Sequence, residues 1–272
     1  MKKLKYKIEY ITSKEIKDVN YLKQSVFNGN IFVFRNFSSC KELNNITNNY
    51  FQRHFGVDIK KFLNKKNPKN FDKKELIEFQ EKIKNSAKLL SYFCNFLLDL
   101  NFDIKETSSD KITFRYSPPI KKEPIGNLKP TKAHRDTWAS NVFNQINWWI
   151  PLHNVEESNS IFIVPDFFDK KVDNDSNQWS FEKYKKLKNY PSTPVSKKIF
   201  TQKAMVKLEL KNGDVLCFSG NHVHGSMLGK NKRINLETRT ICSYDEQKFI
   251  IPKNIDSYTK KKKTNWFSPL KK

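Results

Sequence analysis

The second half of the chain consists of short apolar or alternating segments that are separated by turn residues. They are KITFRY (111–116), NQINWWIPL (144–152), SIFIVP (160–165), AMVKLEL (204–210) and RINLETRTICSY (233–244). Their length and their β-branched and aromatic content are typical of strands. Strands of this kind must bury an apolar face against a second sheet or against helices, which limits the fold to a few layered β architectures.

Glycine is scarce and concentrated among these segments. Of the seven glycines, Gly213, Gly220, Gly225 and Gly229 lie in one short region. Glycine is the residue that best tolerates sharp turns and close backbone approach. The region from 213 to 229 is therefore predicted to contain tight turns between strands.

The first 110 residues carry mainly helical periodicity. Residues 73–100 form the longest helical pattern, with apolar side chains three or four positions apart, and residues 40–55 form another. Residues 29–37 are predicted to be a strand that begins after a glycine. Helices followed by many strands predict an α+β fold, with a double-stranded β-helix (jelly roll) core and supporting helices mostly from the N-terminal part.

The length of 272 residues fits a single domain over 1–272. Residues 1–110 are expected to be helix-rich support and residues 111–250 the jelly-roll core. The polar, irregular stretch 166–203 is expected to be an insertion outside the core that could act as a lid. The lysine-rich tail 253–272 is expected to be peripheral.

The formal net charge of +23 raises the possibility of a nucleic-acid, membrane-surface or anionic partner. The lysines are dispersed along the chain, and only residues 260–263 form a run. A dedicated binding patch should cluster its charge, so compositional bias explains the lysines better. A nucleic-acid-binding protein is kept as the alternative that charge alone supports.

The cysteines and the N-terminus favour a cytoplasmic protein. Cys40, Cys94, Cys217 and Cys242 form no CxxC pattern, which predicts reduced thiols and neither a disulfide framework nor a zinc ribbon. The basic N-terminus lacks the apolar region of a signal peptide, and no stretch approaches the ~20 apolar residues of a membrane span.

A histidine and a carboxylate are separated by one residue in HRDTW, at His134 and Asp136. On a strand, residues i and i+2 point to the same face, so both side chains could reach one metal ion. A mononuclear non-haem Fe(II) site needs two histidines and one carboxylate. His224 and His222 both follow the strand-like segment DVLCF, and strand geometry alone does not separate them as the third ligand. His54 and His153 have no companions and are predicted to be structural.

Two arginines follow these histidines on a predicted strand. Arg233 and Arg239 share its polar face with Asn235 and Glu237. Arginine binds a carboxylate through two parallel hydrogen bonds, which suits a site for the distal carboxylate of 2-oxoglutarate. An outward-facing charged edge strand would show the same pattern.

The segments HRDTW, QINWWIPL, NSIFIVP, NGDVLCFSGNHVHGS and NKRINLETRT resemble, in this order, the phytanoyl-CoA dioxygenase-like branch of the Fe(II)/2-oxoglutarate oxygenases. The resemblance covers residues 111–244, about half of the chain. It implies that His134, Asp136 and His224 bind iron. It also implies that Arg233 anchors 2-oxoglutarate, with Arg239 as the second choice.

The same resemblance directs the polar face of residues 144–152 into the barrel. Asn147 and Trp149 are then candidates for the 2-oxoglutarate pocket, with Thr113 a weaker one, and Trp138 is expected at its mouth. The sequence VPDFFDKK departs from the glycine-rich turn that is frequent in the family after this strand. Contacts usually made at that turn are therefore not expected here.

The resulting hypothesis is an Fe(II)- and 2-oxoglutarate-dependent dioxygenase that hydroxylates a small molecule and releases succinate and CO₂. Asp136 occupies the position that a halide would need, so halogenation is not expected. The basic surface favours an anionic substrate. The expected partners are this substrate and dioxygen, not a membrane or nucleic acid. A cupin-type metalloenzyme that does not use 2-oxoglutarate is the enzymatic alternative.

Overall fold

A computed structural model describes residues 6–64, 71–119, 131–187, 190–227 and 229–270. The helices are α1 (Val19–Phe27), α2 (Ser38–Phe55), α3 (Ile59–Leu63), α4 (Lys73–Lys84), α5 (Ala87–Asp99), α6 (Asp136–Ser140), α7 (Phe181–Lys186) and α8 (Asp245–Lys248). The strands are β1 (Ile8–Thr12), β2 (Ile31–Arg35), β3 (Thr107–Ser109), β4 (Thr113–Ser117), β5 (Ile146–Pro151), β6 (Ile161–Val164), β7 (Val206–Lys207), β8 (Val215–Ser219), β9 (Val223–Ser226), β10 (Arg233–Cys242) and β11 (Ser268–Pro269). The mixed α+β class matches the prediction.

The long helical pattern of residues 73–100 is two helices, not one. Helix α4 ends at Asn85, and the Ser86 hydroxyl accepts a hydrogen bond from the Leu89 amide to begin α5. Asparagine and serine compete for backbone hydrogen bonds and favour helix ends over interiors. Apolar periodicity continues through this break, which explains why the pattern predicted a single helix.

Most strands belong to an eight-stranded sheet with the order β1-β2-β8-β5-β10-β3-β11, in which β4 also pairs with β10. β1 and β2 are parallel, and the other pairings are antiparallel. β10 is central because it pairs with β5 on one side and with β3 and β4 on the other. One face of this sheet, with Trp148, Ile150, Ile234 and Leu236, packs in a core that also contains apolar residues of α1 to α5.

The other face of the large sheet packs against a three-stranded sheet with the order β7-β6-β9. Ile31, Val33 and Trp149 of the large sheet share a buried cluster with Ile161 and Ile163 of the small one. The alternation predicted for residues 144–152 and 233–239 is therefore confirmed. Ile146, Trp148 and Ile150 face the helices, and the residues between them face the second sheet.

The C-terminal segment is not peripheral, contrary to expectation. Asp256, Phe267 and Leu270 are buried, and β11 pairs with β3 at the edge of the large sheet. The stretch 166–203 has little regular structure, as predicted, and α7 is its α-helix. It is not wholly outside the core, because Val172 and Phe200 belong to a third buried cluster. Both segments are polar and rich in lysine, so their composition did not indicate that a few of their side chains are buried.

None of the helices in the described residues is both long enough and apolar enough to span a bilayer.

Candidate metal centre and its cavity

Three potential metal ligands converge between the two sheets. His134 Nε2 lies 3.7 Å from Asp136 Oδ1, and His224 Nε2 lies 3.8 Å from Asp136 Oδ2. The imidazole centroids are 4.3 Å apart. The three ligand atoms lie within 4.8 Å of one another, and no other such group of His, Cys, Asp or Glu occurs in the described part of the chain. The structure thus brings together the three residues predicted to bind a metal.

The backbone explains how distant residues meet at this point. His134 and His224 form a β-bridge with reciprocal N–H···O bonds of 2.9 Å, although 90 residues separate them. Asp136 is not on a strand, which corrects the geometry assumed from the sequence. It is the first residue of α6, after Arg135 in extended conformation. An isolated bridge residue followed by a helical turn therefore directs both side chains of His-x-Asp toward one point.

Each ligand histidine is oriented by a backbone carbonyl. His134 Nδ1 lies 2.8 Å from the Lys132 carbonyl oxygen, and His224 Nδ1 lies 3.0 Å from that of His222. A carbonyl only accepts, so each Nδ1 carries the proton and each Nε2 presents its lone pair toward Asp136. Such contacts fix the tautomer and the orientation of metal-binding histidines.

Asp136 is held as an anion. Asn147 Nδ2 donates to Asp136 Oδ2 at 2.5 Å, and Arg239 Nη1 lies 3.7 Å from Oδ1. Burial opposes ionisation, but the nearby positive charge of the Arg239 guanidinium outweighs it and holds the pKa of Asp136 well below its usual range. Burial lowers the pKa of His224 to about 4. A carboxylate beside a neutral imidazole is the form that a divalent metal binds.

His222 points away from this site. Its ring nitrogens lie 3.2 Å from the Ser219 carbonyl oxygen and 3.1 Å from that of Gly29, and its ring packs on Phe168 at 4.6 Å between centroids. The structure separates it from His224, which sequence geometry did not. It is a buried structural histidine.

The other two histidines also have structural contacts. His153 Nε2 accepts a hydrogen bond from the Ile234 amide at 3.2 Å, and His54 Nε2 lies 3.1 Å from the Glu75 carbonyl oxygen. Both predictions of a structural role agree with these positions.

Arg233 is a buried cation whose hydrogen-bond partners are all neutral. Its side chain donates to the carbonyls of Asn159 and Ser160 and to the hydroxyls of Ser117 and Ser226. Its Nε has no partner in the described part of the chain. Burial lowers the pKa of Arg233 to about 10, although Glu237 opposes the effect. A buried charge without a counterion is costly, and an anionic ligand would compensate it.

The positive charge of Arg239 is already paired with the carboxylate of Asp110. Arg239 Nε donates to Asp110 Oδ2 at 2.5 Å, and its backbone amide donates to Asp110 Oδ1 at 2.6 Å. Burial disfavours its charge, but Asp110 and Asp136 outweigh this and raise the pKa of Arg239 above its usual value. The two arginines proposed as carboxylate anchors therefore differ, since within the described ranges Arg239 has a carboxylate partner and Arg233 has none.

His134, Asp136, His224 and Arg233 line one cavity of about 540 Å³. Asn147, Trp149 and Thr113 line it as well. Trp149 and Thr113 flank Glu237 of β10 from the two neighbouring strands, and the Trp149 ring lies 5.8 Å from the Arg233 guanidinium carbon. All the residues predicted for the pocket therefore share it, although Asn147 contacts Asp136 directly.

Trp138 is not at the mouth of the cavity. It is fully buried and donates from Nε1 to Asp256 Oδ1 at 2.7 Å. Position in the sequence near the metal pair suggested the mouth, but α6 turns the ring into the third core cluster. The charged residue Arg135 is likewise buried, and it binds the carbonyls of Phe167 and Lys170.

Two residues around the site were not predicted from the sequence. Asp110 directly precedes the predicted strand 111–116 and was assigned no role, yet it binds Arg239, which lies 129 positions away in the sequence. Trp266 lies in the tail and still lines the cavity. Neither contact can be read from local spacing, because both depend on how distant strands and the tail are paired.

No protein-family model matches the chain, and no curated protein sequence matches it. Among solved structures, EvdO2 from Micromonospora carbonacea var. aurantiaca, crystallised with 2-oxoglutarate, is 11% identical with a TM-score of 0.42 over 61% of this chain. The match covers 64% of EvdO2, so the chain spans less than two thirds of its length.

Two further similar structures belong to non-heme enzymes. The alpha-ketoglutarate-dependent epimerase SnoN is 15% identical with a TM-score of 0.33, over 58% of this chain and 54% of SnoN. The non-heme monooxygenase ThoJ is 11% identical with a TM-score of 0.40, over 75% of this chain and 70% of ThoJ. Likenesses at this level carry no conclusion about the chemistry of this chain, which depends on its own site.

Proposed function

We propose that this chain is an Fe(II)- and 2-oxoglutarate-dependent oxygenase of the phytanoyl-CoA dioxygenase-like type that hydroxylates a small molecule. One observation carries the proposal. Two imidazole Nε2 atoms and an ionised carboxylate face one point in a cavity that also contains Arg233, a buried cation with neutral partners only. A metal ion would bind the three facing ligand atoms, and one carboxylate of a dicarboxylate would balance the charge of Arg233.

The donor set fits Fe(II). His134, Asp136 and His224 would hold the ion as two neutral nitrogens and one carboxylate, which leaves positions open for other ligands. When bound, Fe(II) with 2-oxoglutarate supplies oxidation of a C–H bond by dioxygen, with release of succinate and CO₂. The protein's contribution is to fix the ligands, through the carbonyls behind each imidazole and through Asn147.

Arg233 would bind the distal carboxylate of 2-oxoglutarate. Its guanidinium is fixed by two backbone carbonyls and by the hydroxyls of Ser117 and Ser226, so little conformational freedom is lost on binding. A buried, preorganised guanidinium suits a carboxylate better than a lysine would. Trp149 and Thr113 would line the space beside it.

Arg233 also separates this proposal from the alternative of a cupin-type enzyme that does not use 2-oxoglutarate. The metal ligands alone would serve such an enzyme, whereas an enzyme that uses 2-oxoglutarate also needs a cation for the distal carboxylate, which Arg233 would supply. Arg239 is less suited as the anchor because Asp110 already neutralises it.

The remaining expectations fit this proposal. The two facing sheets support a double-stranded β-helix within a single domain over 1–272, and we place the protein in the cytoplasm. Asp136 occupies the position that a halide would need, which supports hydroxylation over halogenation. An anionic substrate stays a prediction from the basic surface, and the cavity itself favours a different class, as argued below.

The test is succinate release from 2-oxoglutarate in the presence of Fe(II) and air. His134→Ala and His224→Ala should abolish Fe(II)-dependent release, whereas His54→Ala, a histidine outside the cavity, should retain it. Circular dichroism checks that each variant is folded. Release that persists without His134 or His224 would reject the proposed ligands.

A further inference from the structure

Three half-buried aromatic rings line the cavity and belong to segments outside the strands. Phe181 and Tyr184 lie on α7, and Trp266 lies in a short 3-10 helix near the C-terminus. The Phe181 ring lies 4.9 Å from the Trp266 ring and 6.2 Å from the Tyr184 ring, measured between centroids. We call these three residues the aromatic wall.

The aromatic wall is not part of the hydrophobic core. Helix α7 has no buried residue, and none of the three rings belongs to a core cluster. In contrast, Trp138 and Trp148 are at most 1% exposed. Apolar surface that is left partly open at a cavity is covered favourably by an apolar ligand, because this removes the surface from water. The wall therefore fits a ligand with an apolar, ring-shaped face.

Most charged side chains in the cavity are already paired. Arg239 binds Asp110 at 2.5 Å, and Arg115 binds Glu237 at 2.6 Å. Arg233 is the buried cation without a carboxylate partner, and the proposed function assigns it to 2-oxoglutarate. The inference that follows rests on that assignment. It leaves no unpaired buried cation, among the described residues that line the cavity, for an anionic substrate.

The lysines that line the cavity do not supply a buried cation for an anionic substrate either. Lys84 binds Glu81 at 2.6 Å, and the Lys111 ammonium donates to the Asn85 side chain at 2.8 Å. Both contacts are made by exposed side chains, where ion pairs are weak and are screened by salt. Neither lysine is a buried, preorganised site for a phosphate or a carboxylate.

Two neutral polar groups in the cavity have no hydrogen-bond partner among the residues that the structure describes. They are Oδ1 of Asn235, a residue 1% exposed, and Oγ1 of Thr193, a residue 9% exposed. Both residues line the same cavity as the aromatic wall. A buried amide or hydroxyl without a hydrogen bond is destabilising, and a hydrogen bond to a ligand hydroxyl or N–H would remove this cost. These two neutral side chains are suited to hydrogen bonds with uncharged groups of a ligand.

From these features we infer that the substrate is an uncharged molecule with a ring-shaped apolar face and several hydroxyl or N–H groups. The aromatic wall covers the ring face, because aromatic rings pack well against flat apolar surfaces. Asn235, Thr193 and the Arg115–Glu237 pair bind the polar groups. Compounds that carry a phosphate or carboxylate in place of those groups bind more weakly.

The test compares two probes that share one fluorescent ring. The glucoside of 4-methylumbelliferone is uncharged and rich in hydroxyls, whereas its phosphate ester is an anion. Fluorescence anisotropy measures the binding of each probe to anaerobic protein loaded with Fe(II) and 2-oxoglutarate. The variants are Phe181→Leu and Trp266→Leu, with Tyr258→Leu as the matched control because this exposed ring lies outside the cavity.

The glucoside should bind wild-type protein at least about tenfold more tightly than the phosphate ester, and each wall variant should weaken it by about tenfold, the scale of one aromatic contact. Tyr258→Leu should leave binding unchanged. The inference is overturned if the glucoside does not bind, if the phosphate ester binds equally well, or if the wall variants bind like wild type. Succinate release is measured separately. Glucoside binding as expected, in a protein that never releases succinate, would reject the proposed function and leave this subsite intact.

Discussion

Removal of the Arg233 guanidinium should abolish most of the stabilisation that 2-oxoglutarate gives to the protein. The change is Arg233→Met, which keeps an unbranched side chain of similar length and removes the charge. A hydrogen bond to a charged group contributes about 1.5–3 kcal/mol. Taking about 2.7 kcal/mol for the carboxylate contact, the dissociation constant of 2-oxoglutarate should rise about a hundredfold.

The expected thermal shift follows from this difference. At a concentration of 100 times the wild-type Kd, 2-oxoglutarate stabilises wild-type protein by about 2.7 kcal/mol and the variant by only about 0.4 kcal/mol. At about 2–4 °C per kcal/mol for a protein of this size, the midpoint should rise by about 5–11 °C in wild type and by about 1 °C in Arg233→Met. Each protein is compared with itself, so a change in its ligand-free stability cancels.

The assay is thermal unfolding with Mn(II) in place of Fe(II), because Mn(II) suits the same ligands and avoids turnover in air. Lys111→Met is the matched control, because Lys111 also lines the cavity. Within the described residues, its ammonium donates a hydrogen bond to the Asn85 side chain and to no other group. This variant should retain the full shift. A full shift in Arg233→Met would refute the assignment of Arg233 as the carboxylate anchor.

Three further outcomes are expected. Asn147→Leu removes the hydrogen bond to Asp136, so the affinity for Fe(II) should fall about 10–100-fold in an anaerobic titration; an unchanged affinity would contradict the positioning role. Trp138→Phe removes the 2.7 Å hydrogen bond from the indole Nε1 to Asp256 and should lower the free energy of urea unfolding by about 1–3 kcal/mol. The control variant Tyr258→Phe should leave that free energy unchanged. Burial lowers the pKa of His222 to about 3 in the native protein, against about 6.5 unfolded, so only the unfolded state gains a proton there between these values. Stability should therefore fall as the pH is lowered through this window, by up to about 1.4 kcal/mol per pH unit, and His222→Gln should lessen that slope in urea titrations at several pH values; an equal slope would contradict it.

Strand periodicity and the order of the motifs predicted a large part of this molecule. The alternation around Trp148 and Leu236 correctly separated the strand face that packs against the helices from the more polar face that lies toward the second sheet, because successive side chains of a strand point to opposite sides. The convergence of His134, Asp136 and His224 was also predicted. His-x-Asp alone is a weak signal, and the downstream histidine in the expected order made it specific.

Tertiary contacts decided what the sequence left open or concealed. Arg233 and Arg239 share one face of β10, and only the pairing of Arg239 with Asp110 tells them apart. The C-terminal tail contains many lysines, yet Phe267 and Leu270 bury it against the sheet edge. Composition describes the average of such a segment, whereas a few apolar side chains determine where it packs.

The central claim is that one cavity holds Fe(II) and 2-oxoglutarate together. Anaerobic protein titrated with Fe(II) and then with 2-oxoglutarate tests it most directly, by absorption spectroscopy in the visible range. We predict a weak charge-transfer band that requires both additions, saturates at one Fe(II) per chain and is lost in His224→Ala. Absence of the band in protein that binds Fe(II), or its persistence in His224→Ala, would contradict the claim.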